Sequence, residues 1–230
     1  FFEKNIKNKE VLKVLQNGKK VEFRSFKINE NFEKTSDFVE YVFSTSFYSD
    51  DLIEFYSTKF ADSKETKREL ISNLSILIKN ISDVEISLSV IDKEPIIGIW
   101  LADKDSILPL PMFGDGTVRL FRFIMELAIS KNKYLCIDEI DTGIHFSKYK
   151  DFIRIILKSA NQNNVQLFIT THNNEFLKAF KEVLEEVEFK KFQKETKSFS
   201  LKKLPKGEVK AYSYDFDEFE FAIEQENELR

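Results

Sequence analysis

The sequence holds few of the residues that build disulfides, metal centres and membrane spans. Its 230 residues include one cysteine, Cys136, and two histidines, which excludes an internal disulfide and a cysteine-based zinc site and disfavours a histidine-based one. A single cysteine also fits a reducing compartment, so we expect a cytoplasmic protein. The longest uncharged apolar stretch, 95–102, is the size of a strand rather than the ~18–20 residues of a membrane span, and we expect no membrane partner.

Glycine is scarce, and its placement is therefore informative. Three of the six glycines, Gly114, Gly116 and Gly143, fall between residues 113 and 176, in the part of the chain that also carries the most distinctive polar motifs. Glycine is required where the backbone adopts a positive φ or approaches a ligand closely.

Charge and apolar content exclude a disordered or fibrous chain. Acidic residues (39) exceed basic ones (35), which gives a formal net charge of −4, and 42% of the residues are hydrophobic. A chain of this length and composition can bury a core of its own, as one large domain or two small ones.

Apolar strand-sized runs alternate with helical patterns between residues 118 and 185. The helical patterns cover 118–130, 146–160 and 174–185, and the apolar runs cover 134–137 and 165–169. This alternation predicts an α/β fold, in which helices flank a parallel sheet. We expect the two runs to be neighbouring strands, buried on both faces, with a right-handed crossover between them.

The N-terminal half predicts further strands and two helices. Strand patterns are found at 21–28, 38–43, 84–91 and 96–101. The helices begin where Asp50 or Asp51, and then Asp62 or Ser63, can act as caps.

The C-terminal end has a different texture. Residues 189–214 predict two or three antiparallel strands around a turn at 204–207, and residues 215–230 predict an acidic helix. We therefore divide the chain into three parts: strands with a helical insertion (1–107), a central core (108–188) and a C-terminal part (189–230).

The first chemical feature is an acidic turn, residues 138–143 (Asp-Glu-Ile-Asp-Thr-Gly), which follows the apolar run 134–137. Ligands of parallel sheets bind at the carboxyl ends of the strands. Adjacent carboxylates there are costly to desolvate unless a cation or hydrogen bonds compensate them, as a nucleotide-bound Mg²⁺ would. Asp138 would then hold the metal, directly or through water, and Glu139 would orient and deprotonate the attacking water. The alternative is an exposed acidic turn without a ligand.

The second feature is the Thr-Thr-His segment, residues 170–172, which follows the apolar run 165–169. If the two runs are neighbouring strands, His172 lies beside Asp138 and Glu139. A neutral imidazole there can donate a hydrogen bond to a terminal phosphate or to the attacking water. The alternative is a histidine with a structural role.

The third feature is the glycine loop, residues 113–117 (Phe-Gly-Asp-Gly-Thr), which precedes a buried helix. Glycines before a helix leave backbone N–H groups open to an anion, which the helix dipole also favours. The alternative is a loop whose glycines only allow a turn.

Together these features resemble the second half of an ABC-type ATPase head. The closest resemblance is to the stand-alone bacterial AAA family ATPases, relatives of SMC heads and of the overcoming-lysogenization-defect nucleases. The match is strong over residues 108–180 and looser on either side. The motifs follow the family order of signature loop, Walker B strand, D-loop and switch histidine, at residues 114–120, 135–139, 141–145 and 170–172.

The resemblance implies a P-loop NTPase-like, ABC-type fold that binds ATP and Mg²⁺ and hydrolyses ATP. In the family, two heads sandwich two nucleotides, and each ATP touches the Walker A loop of one head and the signature loop of the other. Gly114, Asp115, Gly116 and Thr117 would accordingly reach ATP across a homodimer interface. Asp141 would communicate between the two sites.

The sequence departs from the family pattern in two places. Many relatives carry a serine before the signature glycine, where this chain has Gly114 or Asp115. Because an acid beside a triphosphate is repelled unless it faces elsewhere, Thr117 or backbone N–H groups must make that contact.

The larger departure is the absence of a Walker A motif, Gly-x-x-x-x-Gly-Lys-Ser/Thr. The pair Gly18-Lys19 does not supply it, because Lys13 and Lys20 occupy the other required positions. In the family this loop lies upstream, so we expect that the start at Phe1 leaves it out, and that this chain alone binds ATP poorly and does not hydrolyse it.

Other functions stay open at this point. An ATP-gated dimerisation scaffold could act on a separate effector protein, for instance in defence against phage. The acidic turn could instead be the metal site of a nuclease. Eight lysines between residues 190 and 210 could bind nucleic acid, or they could form a solvated surface balanced by neighbouring acids.

Overall fold

A computed structural model describes residues 11–16, 19–24, 39–42, 50–60, 63–89, 93–203 and 209–225. The chain divides into two compact units, one of residues 38–183 and one of residues 1–37 with 184–230. The three parts drawn from the sequence divide the chain by motif content, and that division stays a prediction.

Strands and helices alternate through the described ranges. In chain order the strands are β1 (Val11–Gln16), β2 (Lys19–Arg24), β3 (Val39–Val42), β4 (Ile81–Leu88), β5 (Pro95–Leu101), β6 (Leu108–Pro109), β7 (Tyr134–Ile137), β8 (Gln166–Ile169), β9 (Ser198–Lys203) and β10 (Val209–Tyr214). The α-helices are α1 (Asp50–Lys59), α2 (Lys64–Leu74), α3 (Asp115–Ile129), α4 (Tyr149–Gln162), α5 (Asn174–Glu185) and α6 (Phe216–Glu224). Short 3₁₀ helices cover Leu110–Phe113, Phe146–Lys148 and Lys190–Glu195.

The larger unit contains the parallel sheet that the sequence predicts. Its order is β3-β7-β8, and both pairings are parallel. Ile137 at the end of β7 pairs with Ile169 at the end of β8. The α/β class and the neighbouring positions of the two apolar runs are confirmed, and both strands end at the same edge of the sheet.

Burial of the two strands on both faces, however, was predicted wrongly. Leu135 and Ile137 are buried, whereas Tyr134 is 45% and Phe168 is 51% exposed. Side chains alternate between the faces of a strand, so these two aromatic residues share the opposite face. Their ring centroids lie 6.1 Å apart, and this mutual contact takes the place of complete burial.

Helix α3 is buried nearly all round, as its apolar sequence predicts, but it begins three residues earlier than predicted. Gly114 precedes it with φ 87° and ψ 159°, a conformation available essentially only to glycine. The polar first turn, residues 115–117, has no apolar pattern, and for that reason the pattern misses it.

The other N-terminal elements agree with their sequence signals. The side chain of Ser63 accepts a hydrogen bond from the Thr66 amide and caps α2, whose Leu70 and Leu74 are buried. The pair β4–β5 extends with β6 into an antiparallel sheet. Strand β4 begins at Ile81 rather than Val84, and residues 90 and 91, the predicted end of this strand, lie outside the described residues.

The smaller unit contains two antiparallel pairs, β1–β2 and β9–β10. Of the two or three strands predicted between 189 and 214, two form, and residues 190–195 are a 3₁₀ helix instead. The predicted turn at 204–207 lies outside the described residues. Asp215 and Glu218 form a reciprocal capping box at the start of α6. Across all the ranges given above, each helix is too short or too polar to cross a bilayer.

Phe152→Ala tests whether α4 is held by its apolar face. Phe152 is fully buried and meets Phe123 edge to face, with ring centroids 5.7 Å apart. We expect the free energy of unfolding, measured by urea denaturation, to fall by about 3–5 kcal/mol because the change leaves a cavity. The control, Phe146→Ala, removes a phenyl ring that is 63% exposed and should have little effect. Equal losses in the two variants would contradict this account of the core.

Candidate functional site

The acidic turn and the Thr-Thr-His segment are hydrogen-bonded to each other beyond the ends of β7 and β8. The Thr170 amide donates to the Ile137 carbonyl at 3.0 Å, and the Ile140 amide donates to the Thr170 carbonyl at 3.0 Å. The parallel ladder therefore continues past the sheet edge. The structure thus brings together the two loops whose proximity the sequence predicts.

Asp138, the candidate metal ligand, is exposed at this edge. Its Oδ1 accepts a hydrogen bond of 2.6 Å from the Thr170 hydroxyl. The same hydroxyl oxygen accepts the Glu139 amide at 2.9 Å. One side chain of the neighbouring strand therefore orients both consecutive acids, Asp138 through its carboxylate and Glu139 through its backbone.

Glu139, the candidate base, has a left-handed backbone with φ 46°, a conformation that costs roughly 1–2 kcal/mol for a residue with a side chain. Its carbonyl accepts a hydrogen bond of 3.1 Å from Arg119 Nη2. Its Oε2 accepts a longer one, 3.3 Å, from the Thr142 hydroxyl. Bonds from α3 and from the acidic turn therefore hold Glu139 in this conformation.

Arg119 is the residue that sequence reasoning missed. It is 3% exposed, and its guanidinium carbon lies 5.7 Å from the centre of the Phe123 ring. Burial lowers the pKa of Arg119 to about 10, against the opposing effect of Asp141 and Glu139, which raise it. It remains a cation at neutral pH. The signal that could have revealed it is a single charge within the apolar sequence 118–121.

The glycine loop packs against the end of the acidic turn. A Cβ added to Gly116 would lie 3.3 Å from the Gly143 carbonyl oxygen, and one added to Gly143 would lie 3.3 Å from Arg119 Cδ. Both glycines therefore permit a close approach of the two segments. The structure joins the predicted nucleotide-contacting loop and the predicted D-loop within one chain.

The remaining residues of the glycine loop differ in exposure. Gly114 and Asp115 are exposed. Thr117 is 8% exposed, and its hydroxyl donates to the Phe113 carbonyl at 2.9 Å. In this conformation the Thr117 hydroxyl supports the loop from within.

Thr171 and Asn173, on either side of His172, make hydrogen bonds that fix this part of the site. Asp141 Oδ1 accepts a hydrogen bond of 2.6 Å from the Thr171 hydroxyl, whose oxygen accepts the Asn173 amide at 3.0 Å. Asn173 Oδ1 accepts the Glu175 amide at the start of α5. His172 is thus flanked by two anchored residues, while its own side chain is exposed and forms no hydrogen bond with the part of the chain that the structure describes.

Tyr149 connects this segment to α4. Its hydroxyl accepts a hydrogen bond of 2.8 Å from Asn173 Nδ2. Burial raises the pKa of Tyr149, and Asp141 and Glu175 raise it further, while the bond to Asn173 lowers it. The phenol stays neutral and serves as a fixed acceptor for Asn173.

The donor set at this edge fits Mg²⁺ in one particular way. No group of three or more His, Cys, Asp or Glu side chains able to hold a metal occurs among the described residues. Mg²⁺, however, is commonly bound by one or two carboxylates together with water and substrate phosphates. The exposed, hydrogen-bonded carboxylate of Asp138 suits that mode, whereas the sequence contains no Walker A motif to hold the phosphates.

Comparison with known proteins gives a family match over most of the chain. Residues 11–178 match the family model described as "AAA domain, putative AbiEii toxin, Type IV TA system". The chain is 27% identical over 148 residues to an ATP/GTP phosphatase of Helicobacter pylori (strain ATCC 700392 / 26695). That match covers 63% of this chain and 38% of the relative, so the chain spans well under half of that relative's length.

Two solved structures are similar at low sequence identity. One, described as "Structural biochemistry of ATP-driven dimerization and DNA stimulated activation of SMC ATPases", has a TM-score of 0.47 and 16% identity, covering 76% of this chain and 96% of that one. The other, an SMC head domain from Thermotoga maritima, has a TM-score of 0.46 and 14% identity, covering 76% of this chain and 53% of that one.

Gly143→Ala tests the left-handed end of the acidic turn. Gly143 has φ 75°, so alanine should lower the free energy of unfolding by roughly 1–2 kcal/mol in urea denaturation. The matched variant, Gly143→Asn, places the same Cβ near Arg119 but tolerates this conformation better, and it should lose less. Equal losses for alanine and asparagine would show that contact with Arg119, rather than backbone conformation, requires the glycine.

Proposed function

The chain belongs to the AAA-domain family whose model matches residues 11–178, and we propose that it is the hydrolytic part of an ABC-type ATPase that turns over ATP between two heads. The family match confirms the resemblance drawn from the order of the motifs. Together with the parallel sheet, it confirms the predicted P-loop NTPase-like α/β class.

One observation carries the proposal: consecutive acids at the end of β7 are bonded to the segment that ends in His172 at the end of β8. Phosphoryl transfer requires positioning and charge neutralisation more than covalent chemistry. Carboxylates for a metal and for water, on a turn that is bonded to the segment carrying His172, would supply these requirements at one edge of the sheet.

Each side chain has a distinct role in this proposal. Asp138 holds Mg²⁺, which when bound neutralises charge on the phosphates. Glu139 orients the attacking water and accepts its proton. His172, exposed between two anchored residues, donates a hydrogen bond to the terminal phosphate or to the water.

The exposed start of α3 provides the surface that a second head would use. Gly114 and Asp115 are exposed, and together with Gly116 and Thr117 they form a helix N-terminus, which favours an anion. Because Arg119 joins this helix to the Glu139 carbonyl, contact of the loop with a partner's nucleotide would reach the catalytic turn directly. Asp141 lies on the same path and would link the two sites of a homodimer.

A second function is an ATP-gated scaffold that hydrolyses slowly and signals to a separate effector, as in a phage-defence system. In this function ATP binding would drive dimerisation through the dimer-facing motifs, and the effector would act. ATP-dependent dimerisation of the full-length protein with negligible phosphate release would favour this function over the first.

Glu139→Gln in the full-length protein tests the assignment. We expect phosphate release to fall by about 10²–10⁴-fold, because general-base catalysis contributes this much. The protein should also accumulate as an ATP-bound dimer, which light scattering coupled to size-exclusion chromatography detects.

The matched control is Glu65→Gln, which makes the same change at an exposed position in the first turn of α2. It should leave phosphate release and mass unchanged. Hydrolysis at the wild-type rate in Glu139→Gln would refute the role assigned to Glu139.

A further inference from the structure

We propose that Thr170 is the positioning residue for the metal ligand of this site: its hydroxyl orients the Asp138 carboxylate for a divalent cation. The inference rests on the proposed function for its biological meaning. It concerns a property of the chain, cation affinity, that can be measured without turnover.

The Thr170 hydroxyl makes two hydrogen bonds, one as a donor and one as an acceptor. It donates to Asp138 Oδ1 at 2.6 Å and its oxygen accepts the Glu139 amide at 2.9 Å. Because the incoming amide bond occupies one side of the oxygen, the hydroxyl proton is directed to the carboxylate. The Thr170 hydroxyl is therefore hydrogen-bonded to two consecutive acids, to the side chain of Asp138 and to the backbone of Glu139.

The position of the Thr170 hydroxyl is fixed by the backbone of the same residue. The Thr170 amide and carbonyl bond to Ile137 and Ile140, on either side of the two acids. The Thr170 side chain therefore cannot shift along β7 without breaking the extended ladder. Asp138, by contrast, is an exposed side chain, and an exposed carboxylate without such a bond samples several rotamers.

Partners that orient a metal ligand usually matter for affinity, and their removal commonly weakens metal binding or activity by about 10–100-fold. Thr170 belongs to this class because it touches the ligand and would not touch the cation. Thr171 makes the comparable bond to Asp141, so the two successive hydroxyls serve two different acids. The Thr-Thr-His segment therefore orients two carboxylates of the acidic turn in addition to carrying the histidine.

The test is a Mn²⁺ titration of the full-length protein loaded with a non-hydrolysable ATP analogue, which supplies the phosphate oxygens, with the protein-free analogue as the blank. Binding is followed by the electron paramagnetic resonance signal of free Mn²⁺, which takes the same oxygen ligands as Mg²⁺. Thr170→Val removes the hydroxyl and should weaken binding by about 10–100-fold. Thr170→Ser keeps the hydroxyl and should restore affinity to within about threefold of wild type. Asp138→Asn should remove the same binding event.

Thr58→Val is the control for the loss of a hydroxyl, since Thr58 bonds only the carbonyls of its own helix α1 among the described residues. Urea denaturation of every variant separates an effect on the site from a loss of folding. A purely structural role would lower the stability of Thr170→Val while its folded fraction bound Mn²⁺ normally, and that outcome would overturn the proposal.

Other outcomes are equally decisive. Wild-type protein that binds no Mn²⁺, or a serine variant as weak as valine, would also refute the positioning role. If the wild type binds Mn²⁺ with the expected dependence on Thr170 but releases no phosphate from ATP, the proposed function fails while the positioning role stands.

Discussion

The parallel pairing of β7 with β8 holds the acidic turn and the Thr-Thr-His segment at one edge of the sheet. Each strand has only four residues, so the ladder itself is short. Its extension through the amides of Thr170 and Ile140 carries the register beyond the sheet, into the loops with the polar side chains. A slip of one residue would turn every side chain to the opposite face and separate the acids from their threonines.

A buried cation connects this edge to the helix that starts at the glycine loop. Arg119 donates a hydrogen bond to the Glu139 carbonyl, and its guanidinium lies near the Phe123 ring. Its Cδ lies close to Gly143. A buried charge is costly unless it is compensated, and Asp141 and Glu139 provide the opposite charge. The acids of the turn therefore stabilise the buried arginine, and the arginine in turn connects the acidic turn to α3.

Much of this arrangement could be predicted from local sequence pattern. Strand β7 has its predicted bounds because Lys133 and Asp138 mark the two ends of a short apolar run. Helix α5 begins where predicted because Asn173 is a strong cap. The order of strand, helix and strand predicted that the ends of β7 and β8 would be neighbours, which the structure bears out.

The contacts that organise the site could not be predicted in the same way. The bond from Arg119 to Glu139 spans 20 residues, and the two side-chain bonds of Thr170 span 31 and 32. Such pairs depend on strand register and helix rotation, which periodicity does not specify. The exposure of Phe168 was missed for a related reason. An apolar run indicates that a strand forms, but it does not show whether other elements pack over both faces of that strand.

The two parts of Glu139 are held with very different strength, and this difference has a consequence for mechanism. Its backbone is held by bonds from Thr170 and Arg119 on either side of the residue, which secure a left-handed conformation. Its carboxylate has a single 3.3 Å bond to Thr142, and an ordinary hydrogen bond contributes only about 0.5–1.5 kcal/mol net. In the proposed function, turning the carboxylate from Thr142 to the attacking water would therefore break one long hydrogen bond and leave the backbone in place.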